Sequence, residues 1–391
     1  MILYDWIVIG GGIHGCTVAS FLIKKGIAAP EKLCIIDPNS EPLYRWKNNT
    51  ERIGMEYLRS PGVHHIDVDP FSLQKYVRNE QRSKMELYGK YKRPALKLFN
   101  EHCDSVLKEV DLKKSWHQGF VNDIKKDQGI WKVMTSKGEV FQGHNIVISI
   151  SINDQLNIPN WAEKMKSKLP NQVFHIFDEH LPNLQTVEPT MAIIGGGITA
   201  AHLCIKLSNM FPGKVTLVKR HPFRVHDFDS DPGWLGPKHL ASFHKIKKYE
   251  ERRSIIQQAR NKGSLPSELF HKLKRLENEN KISIVNGEVE TASFSNDNEI
   301  ILKIEDKELT VQTVMLATGF LPSLPGKSWI EKLIKEQDLN CAKCGYPIIN
   351  KALQWCPHLY VSGPLAELEI GPIARNISGA RQAAERIVNS L

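Results

Sequence analysis

Trp6-Ile7-Val8-Ile9-Gly10-Gly11-Gly12-Ile13-His14-Gly15 decides how this chain is read. An apolar run ends in a glycine-rich turn, and the next stretch, Cys16 to Ile23, mixes small and apolar residues as a packed helix does. Each glycine has its own duty. Gly10 permits the tight turn off the strand, Gly12 lets the backbone approach a pyrophosphate, and Gly15 lets helix and strand pack closely. The free N–H groups and dipole of that helix start favour an anion. A second strand, Lys32 to Ile36, ends at Asp37, about 20 residues past the last glycine, where a carboxylate meets a ribose hydroxyl.

The pattern returns near mid-chain. Met191-Ala192-Ile193-Ile194 leads into Gly195-Gly196-Gly197-Ile198-Thr199-Ala200. One such motif is weak; two, each between a strand and a helix, predict two dinucleotides, flavin plus nicotinamide, and so electron transfer. Gly195, Gly197 and Ala200 occupy the three fingerprint positions. The following strand, Lys214 to Val218, ends in Lys219-Arg220-His221 with Arg224 close behind, and no carboxylate stands at the ribose position. Cations there suit a ribose 2′-phosphate, which points to NADPH; the plainer reading is a solvated basic loop.

The chain has 391 residues, enough for two domains with separate cores. Net charge is +9, but basic residues alternate with acids, as in Lys247-Lys248-Tyr249-Glu250-Glu251-Arg252-Arg253. That run reads as a solvated helix face, so no nucleic-acid partner is expected. No apolar run nears the ~20 residues that span a bilayer. The first strand begins almost at Met1, and the 7 cysteines lack framework spacing, so a cytoplasmic protein without a leader is expected.

The predicted fold class is α/β, with two Rossmann-like domains binding FAD and NADPH. Residues 1–187 form the first part of the FAD domain plus a linker, and 188–322 the NAD(P)H domain, with a helical insertion at 236–281. Residues 323–391 return to complete a discontinuous FAD domain. Ser136-Lys137-Gly138 turns a hairpin, Asn145 to Ile150 reads as a buried parallel strand, and Val173 to Phe177 as a short extended piece of linker. Leu359 to Ser362 reads as a strand entering a turn at Gly363-Pro364, and Gly371-Pro372 opens a helix from Ile373 to Ile387, aimed at the flavin or its phosphates.

The order of these motifs, with Ala317-Thr318-Gly319-Phe320-Leu321-Pro322 between them, resembles the class B flavin monooxygenases, above all the microbial lysine and ornithine N-hydroxylases. Gly54 to Pro61 and Asp69 to Ser72 are similar to their flavin-facing loop, and Trp234 to Phe270 to their substrate-side helices. The resemblance implies FAD, NADPH and molecular oxygen acting on a small-molecule substrate. Oxygenation of an amine or sulfide would proceed through a C4a-hydroperoxyflavin. It places Trp46, Met55, Ser60, Pro61 and His65 near the flavin ring, Gly363, Pro364 and Gly371 at the flavin tail, and Thr318 and Gly319 at the second strand end. The chain departs from the pattern at Gln312, at Gly363-Pro364, and in lacking an FxGxxxHxxxY signature.

Two other readings stay open. Cys341-Ala342-Lys343-Cys344 could be a redox dithiol, its thiolate stabilised by Lys343, making the chain a disulfide, persulfide or quinone reductase. It also reads as a structural turn. Zinc on Cys341, Cys344, Cys356 and His358 would need unusual spacing, so no metal is assigned. A cofactor-bound sensor or scaffold is the non-enzyme reading, which the second fingerprint argues against. His14 reads as a variable turn position, and His64-His65 as flavin-lining residues or occupants of a turn.

Overall fold

A computed structural model describes residues 2–152 and 155–391. Its first sheet runs in the order Gln354–Cys356, Leu359–Val361, Val140–Ile148, Leu3–Ile9, Leu33–Asp37, Trp116–Gln118. Leu3–Ile9 lies at the centre, parallel to both neighbours, with Val8 opposite Val147 on one side and Ile35 on the other. Ile7, Val8, Ile35, Ile146, Val147 and Ile148 are sealed from solvent, as a continuous apolar strand with both faces covered must be. The hairpin arm after Gly138 and the buried parallel strand are one strand, Val140–Ile148. It pairs antiparallel with Ile130–Thr135 at its start and parallel with Leu3–Ile9.

Leu359–Val361 joins this sheet beside Val140–Ile148, so the tail does return to the first domain. The helix expected from Ile373 is interrupted. Pro372–Arg375 is a 3-10 turn, Asn376 is extended, and the α-helix spans Ile377–Val388. That helix lies against helix Ile13–Lys24. Gly379 lets the helix fold close onto the turn before it, since a Cβ there would fall 2.1 Å from the Ile373 carbonyl oxygen.

The second sheet is all parallel: Ile282–Asn286, Val215–Lys219, Met191–Ile194, Thr313–Leu316, Val173–His175. Val173–His175 was expected in a linker of the first domain. It is instead the edge strand here, with all three residues buried, and helix Asn160–Lys168 packs beside it. A three-stranded antiparallel sheet, Val289–Phe294, Ile300–Ile304 and Lys307–Val311, extends the second core. The two chain crossings run side by side: Leu321 N–H donates to the Gln155 carbonyl at 2.9 Å, and Asn157 N–H to that of Gly319 at 2.9 Å.

The insertion at 236–281 divides its loyalty. Helix Ser267–Asn278 packs on helix Ile198–Met210 as the crossover to Ile282–Asn286. Helices Pro237–Phe243 and Tyr249–Ala259 instead join the first core, where Trp234, Leu240, Phe243 and Ile256 are buried with the C-terminal segment. Among the described residues no helix is long and apolar enough to cross a membrane.

Candidate functional site

Both glycine turns have the geometry their sequences demand. Gly10 takes φ +101°, and a Cβ there would lie 2.8 Å from the Ser149 carbonyl oxygen. Gly15 is tighter, its Cβ position 1.7 Å from the carbonyl oxygen of Gly10. Gly12 differs: a Cβ there would meet nothing within 4 Å. It is the N-cap of helix Ile13–Lys24, with no side-chain cap and no acid in the first turn, so the helix start is left free for an anionic group. Asp37 Oδ2 accepts from Gly11 N–H at 2.7 Å and Oδ1 from Asn39 N–H at 2.9 Å, which fixes the carboxylate beside the turn.

The second turn repeats this. Gly195 takes φ +153°, with its Cβ position 2.6 Å from the Ala317 carbonyl oxygen, and Ala200 is buried behind it. Gly197 caps helix Ile198–Met210, again with no side-chain cap or first-turn acid, and the backbone of Gly263 lies against it. Thr318 Oγ1 donates to the Asn157 carbonyl, and Gly319 takes φ +79° at the neighbouring strand end. These cradles fit two dinucleotides: glycines where a side chain would block the turn, and uncapped N–H groups where a pyrophosphate would sit.

The strand-end cations separate. Lys219 is 5% exposed, hydrogen-bonds Asn286 Oδ1 and the His221 carbonyl, and lies 4.4 Å over the Phe223 ring. Burial lowers its pKa. It is therefore a structural cation, contrary to its expected place at a ribose phosphate. Arg220 is 70% exposed and only loosely placed near Glu288, at 3.8 Å, while Arg224 is exposed and donates to the Lys262 carbonyl at 3.2 Å. His221 sits over the turn, about as close to Gly196 as Lys219 is.

The flavin-ring residues expected from sequence do not form one group. Trp46 Nε1 donates to Asn100 Oδ1 at 3.0 Å, its ring against Phe99. Met55 touches both main cores, at the junction of the domains. Ser60 and Pro61 are half-buried in the loop after it. His65 is fully buried, and its pKa is pushed down to about 3, chiefly by burial. One ring nitrogen meets the Pro70 carbonyl at 3.2 Å, and the other accepts from Asp67 N–H at 3.2 Å. With both nitrogens committed and no exposed edge, His65 cannot line a flavin and is a core histidine. Gly363 (φ +69°) and Pro364 are buried beside the first turn, the former facing the His14 ring. Gly371 faces Trp234 and Leu240, so it packs against the insertion.

His14 is more than a variable turn position. Its Nδ1 is 2.9 Å from Ser362 Oγ, tying the fingerprint helix to the C-terminal segment. Burial holds its pKa down to about 4, so the ring is neutral. Sequence reading also missed the arginines. Arg59 donates to the carbonyls of His226 and Phe228, each at 2.7 Å, and to Ser264 Oγ at 2.9 Å. Arg93 pairs with Glu268. Together they bind the first-domain loop to the second domain. A cavity of about 530 Å³ opens beside this seam, between Glu56–Arg59 and the helices that begin at Ile198 and Ser267.

The run Lys247 to Arg253 is the solvated face its composition suggests only in part: Lys247, Lys248, Glu250 and Glu251 are exposed, but two arginines turn inward. Arg252 reaches Glu369 at 3.2 Å and Arg253 pairs with Glu367, all four largely buried. Arg375 completes the second cluster, donating to Glu367 Oε2 at 2.9 Å and to Tyr346 Oη at 3.2 Å. No period or motif in the sequence links these arginines to Glu367 and Glu369.

Two sheets with parallel central strands, each with a glycine turn at the carboxyl end of a central strand, and a tail that closes the first, define a two-nucleotide oxidoreductase. A family model for pyridine nucleotide-disulphide oxidoreductases matches residues 4–385, and the chain belongs to that family. It is thus an FAD- and NAD(P)H-dependent enzyme. No curated protein matches the sequence. Among solved structures, the chain is similar to the cadaverine monooxygenase of the desferrioxamine pathway of Erwinia amylovora, with a TM-score of 0.78 and 14% identity over 100% of this chain and 94% of that one. It is similar to the ornithine hydroxylase of Pseudomonas aeruginosa, with a TM-score of 0.77 and 19% identity over 100% and 98%. The bacillithiol disulfide reductase of Staphylococcus aureus gives 0.62 and 17% over 100% and 98%. At such identities the likeness is one of fold.

Proposed function

We propose that the chain is an FAD-dependent monooxygenase that consumes NADPH and oxygen and places one oxygen atom on the nitrogen or sulfur of a small molecule. NADPH, a proton, oxygen and substrate give NADP⁺, water and the oxygenated product. Bound flavin supplies hydride acceptance and oxygen activation. The chain supplies two pyrophosphate cradles, the Arg59 and Arg93 seam that holds the domains in register, and buried helices that shield the cleft from water.

The observation that carries this over a disulfide reductase is the state of the cysteines. Cys16, Cys34 and Cys204, on the fingerprint elements, are all buried, and burial raises each thiol, Cys34 and Cys204 to about 12. A thiol relay needs a lowered pKa. Burial and Cys344 also raise the Cys341 thiol, with no cation pulling it down, so Lys343 does not play its expected part. The pair occupies a turn held to strand Gln354–Cys356, where Trp355 Nε1 donates to the Asn340 carbonyl at 2.8 Å. Whole-chain likeness to a cadaverine monooxygenase and an ornithine hydroxylase supports the same reading.

Cys341→Ser with Cys344→Ser is expected to leave NADPH-driven flavin reduction and oxygen consumption unchanged. Loss of both with flavin retained would overturn the monooxygenase reading in favour of a dithiol enzyme. Within the nucleotide site, Arg220, 70% exposed and only loosely paired with Glu288, is the cation we assign to a 2′-phosphate. Arg220→Ala is expected to raise KM for NADPH about tenfold and leave that for NADH unchanged, the loss of one charged hydrogen bond. Equal effects on both would contradict the assignment.

A further inference from the structure

Four cations that the nucleotide motifs do not use lie together near the two glycine turns. From the insertion come Arg253, Arg260 and Lys262, and from the C-terminal segment Arg375. Gly263, next to Lys262, backs onto Gly197 of the second turn, while Ser362 and Gly363 touch His14 of the first. The cluster therefore spans both cradles. Its acids are too few. Glu367 is shared by Arg253 and Arg375. Asp229 is shared by Arg260, at 2.9 Å, and Arg59, at 3.9 Å. Arg260 Nη2 takes that bond, whereas its Nη1 is buried with no partner among the described residues. Lys262 is near Arg260, Arg375 and Arg253, and its pKa is lowered by burial and by these charges. Burial lowers that of Arg260 as well, with Arg375 and Arg253 adding to the effect. Like charges that outnumber their acids, with the three arginines largely buried, cost free energy unless an anion joins them.

We propose that Arg260, with Lys262 and Arg375, is a receptor for an oxyanion, carboxylate or phosphoryl, held between the two nucleotide turns. The guanidinium edge at Nη1 makes the directed contact, and Lys262 and Arg375 supply field. Two sources share this chemistry: an acidic group of the substrate, or the pyrophosphate of the nicotinamide nucleotide. The assignment needs the two-nucleotide site but not oxygen transfer, so it survives failure of the monooxygenase reading.

The test uses the full FAD-loaded chain and three probes: inorganic pyrophosphate, malonate and NADPH. Binding is read from flavin spectral titration and from the shift in melting temperature, without turnover. Wild-type protein is expected to bind pyrophosphate and malonate, and Arg260→Gln about tenfold more weakly at equal flavin content. Arg260→Lys should fall between, since it keeps the charge and loses the fork. Lys262→Gln, at an exposed position, repeats the test where folding is not at stake. If NADPH weakens in parallel, the receptor serves the nucleotide; if NADPH is unchanged while malonate binding is lost, it serves a substrate carboxylate. Wild-type protein that binds neither small anion, or variants that bind all three probes as it does, would overturn the proposal.

Discussion

Gly15→Ala is expected to yield protein almost free of flavin. The added methyl would fall 1.7 Å from the Gly10 carbonyl oxygen, and that obstacle is backbone, not a side chain that can swing aside. Helix Ile13–Lys24 must then move off strand Leu3–Ile9, opening a core in which Val8, Val18 and Leu22 are fully buried. Overpacking costs about 1–3 kcal/mol in ordinary cores and more against rigid backbone. It also tilts the N–H groups that face the pyrophosphate. Gly12→Ala is the informative partner. Its φ is −78°, and its Cβ would meet no protein atom within 4 Å, so the variant is expected to melt like wild type yet bind flavin more weakly. Flavin content and melting temperature of the two variants check this. Full flavin in Gly15→Ala would contradict the packing argument, and full affinity in Gly12→Ala the cradle.

Glu367→Ala carries the second large effect. The carboxylate is 1% exposed and holds Arg253 and Arg375 together, with the Tyr346 ring 4.1 Å from the Arg253 guanidinium. Removing one partner of a buried cluster strands the others, at a cost of about 3–5 kcal/mol. The first core should therefore unfold at clearly lower denaturant concentration, and helix Tyr249–Ala259 should lose protection from hydrogen exchange. The exposed pair Lys75–Asp69 is the control, since Lys75→Ala should cost less than about 1 kcal/mol. A Glu367→Ala protein as stable as this control would show that the buried cluster does not anchor the insertion.

Local chemistry made the two turns legible. Only glycine serves easily where φ is positive, as at Gly10 and Gly195, and that part of the requirement is written in adjacent residues, although the carbonyls that crowd them, of Ser149 and Ala317, are distant. The return of Leu359–Val361 was legible because a lone strand and helix cannot bury their own apolar faces. What joins distant segments was not. Arg253 and Glu367 share no period or motif, and a basic run looks the same whether its partner is water or a buried acid. Lys219 matched the expected position of a ribose-phosphate cation, but the Asn286 amide that claims it lies in a distant strand, and nothing local announces that the Phe223 ring will cover it. His65 was misplaced because nothing in its neighbours announces that Pro70 and Asp67 will satisfy both its nitrogens. Val173–His175 is only three residues long, too short for a pattern to separate an edge strand from a linker.

The central claim is that electrons from NADPH end in oxygen transfer. Its most direct test is to supply the FAD-loaded enzyme with NADPH and isotopically labelled oxygen gas. Ornithine, lysine, cadaverine and a thioether are offered in parallel with low-molecular-weight disulfides. The account predicts that at least one amine or sulfide acquires one labelled oxygen atom for each NADPH consumed, and that no disulfide is reduced at a comparable rate. NADPH-dependent cleavage of a disulfide, with no label in any organic product, would contradict it.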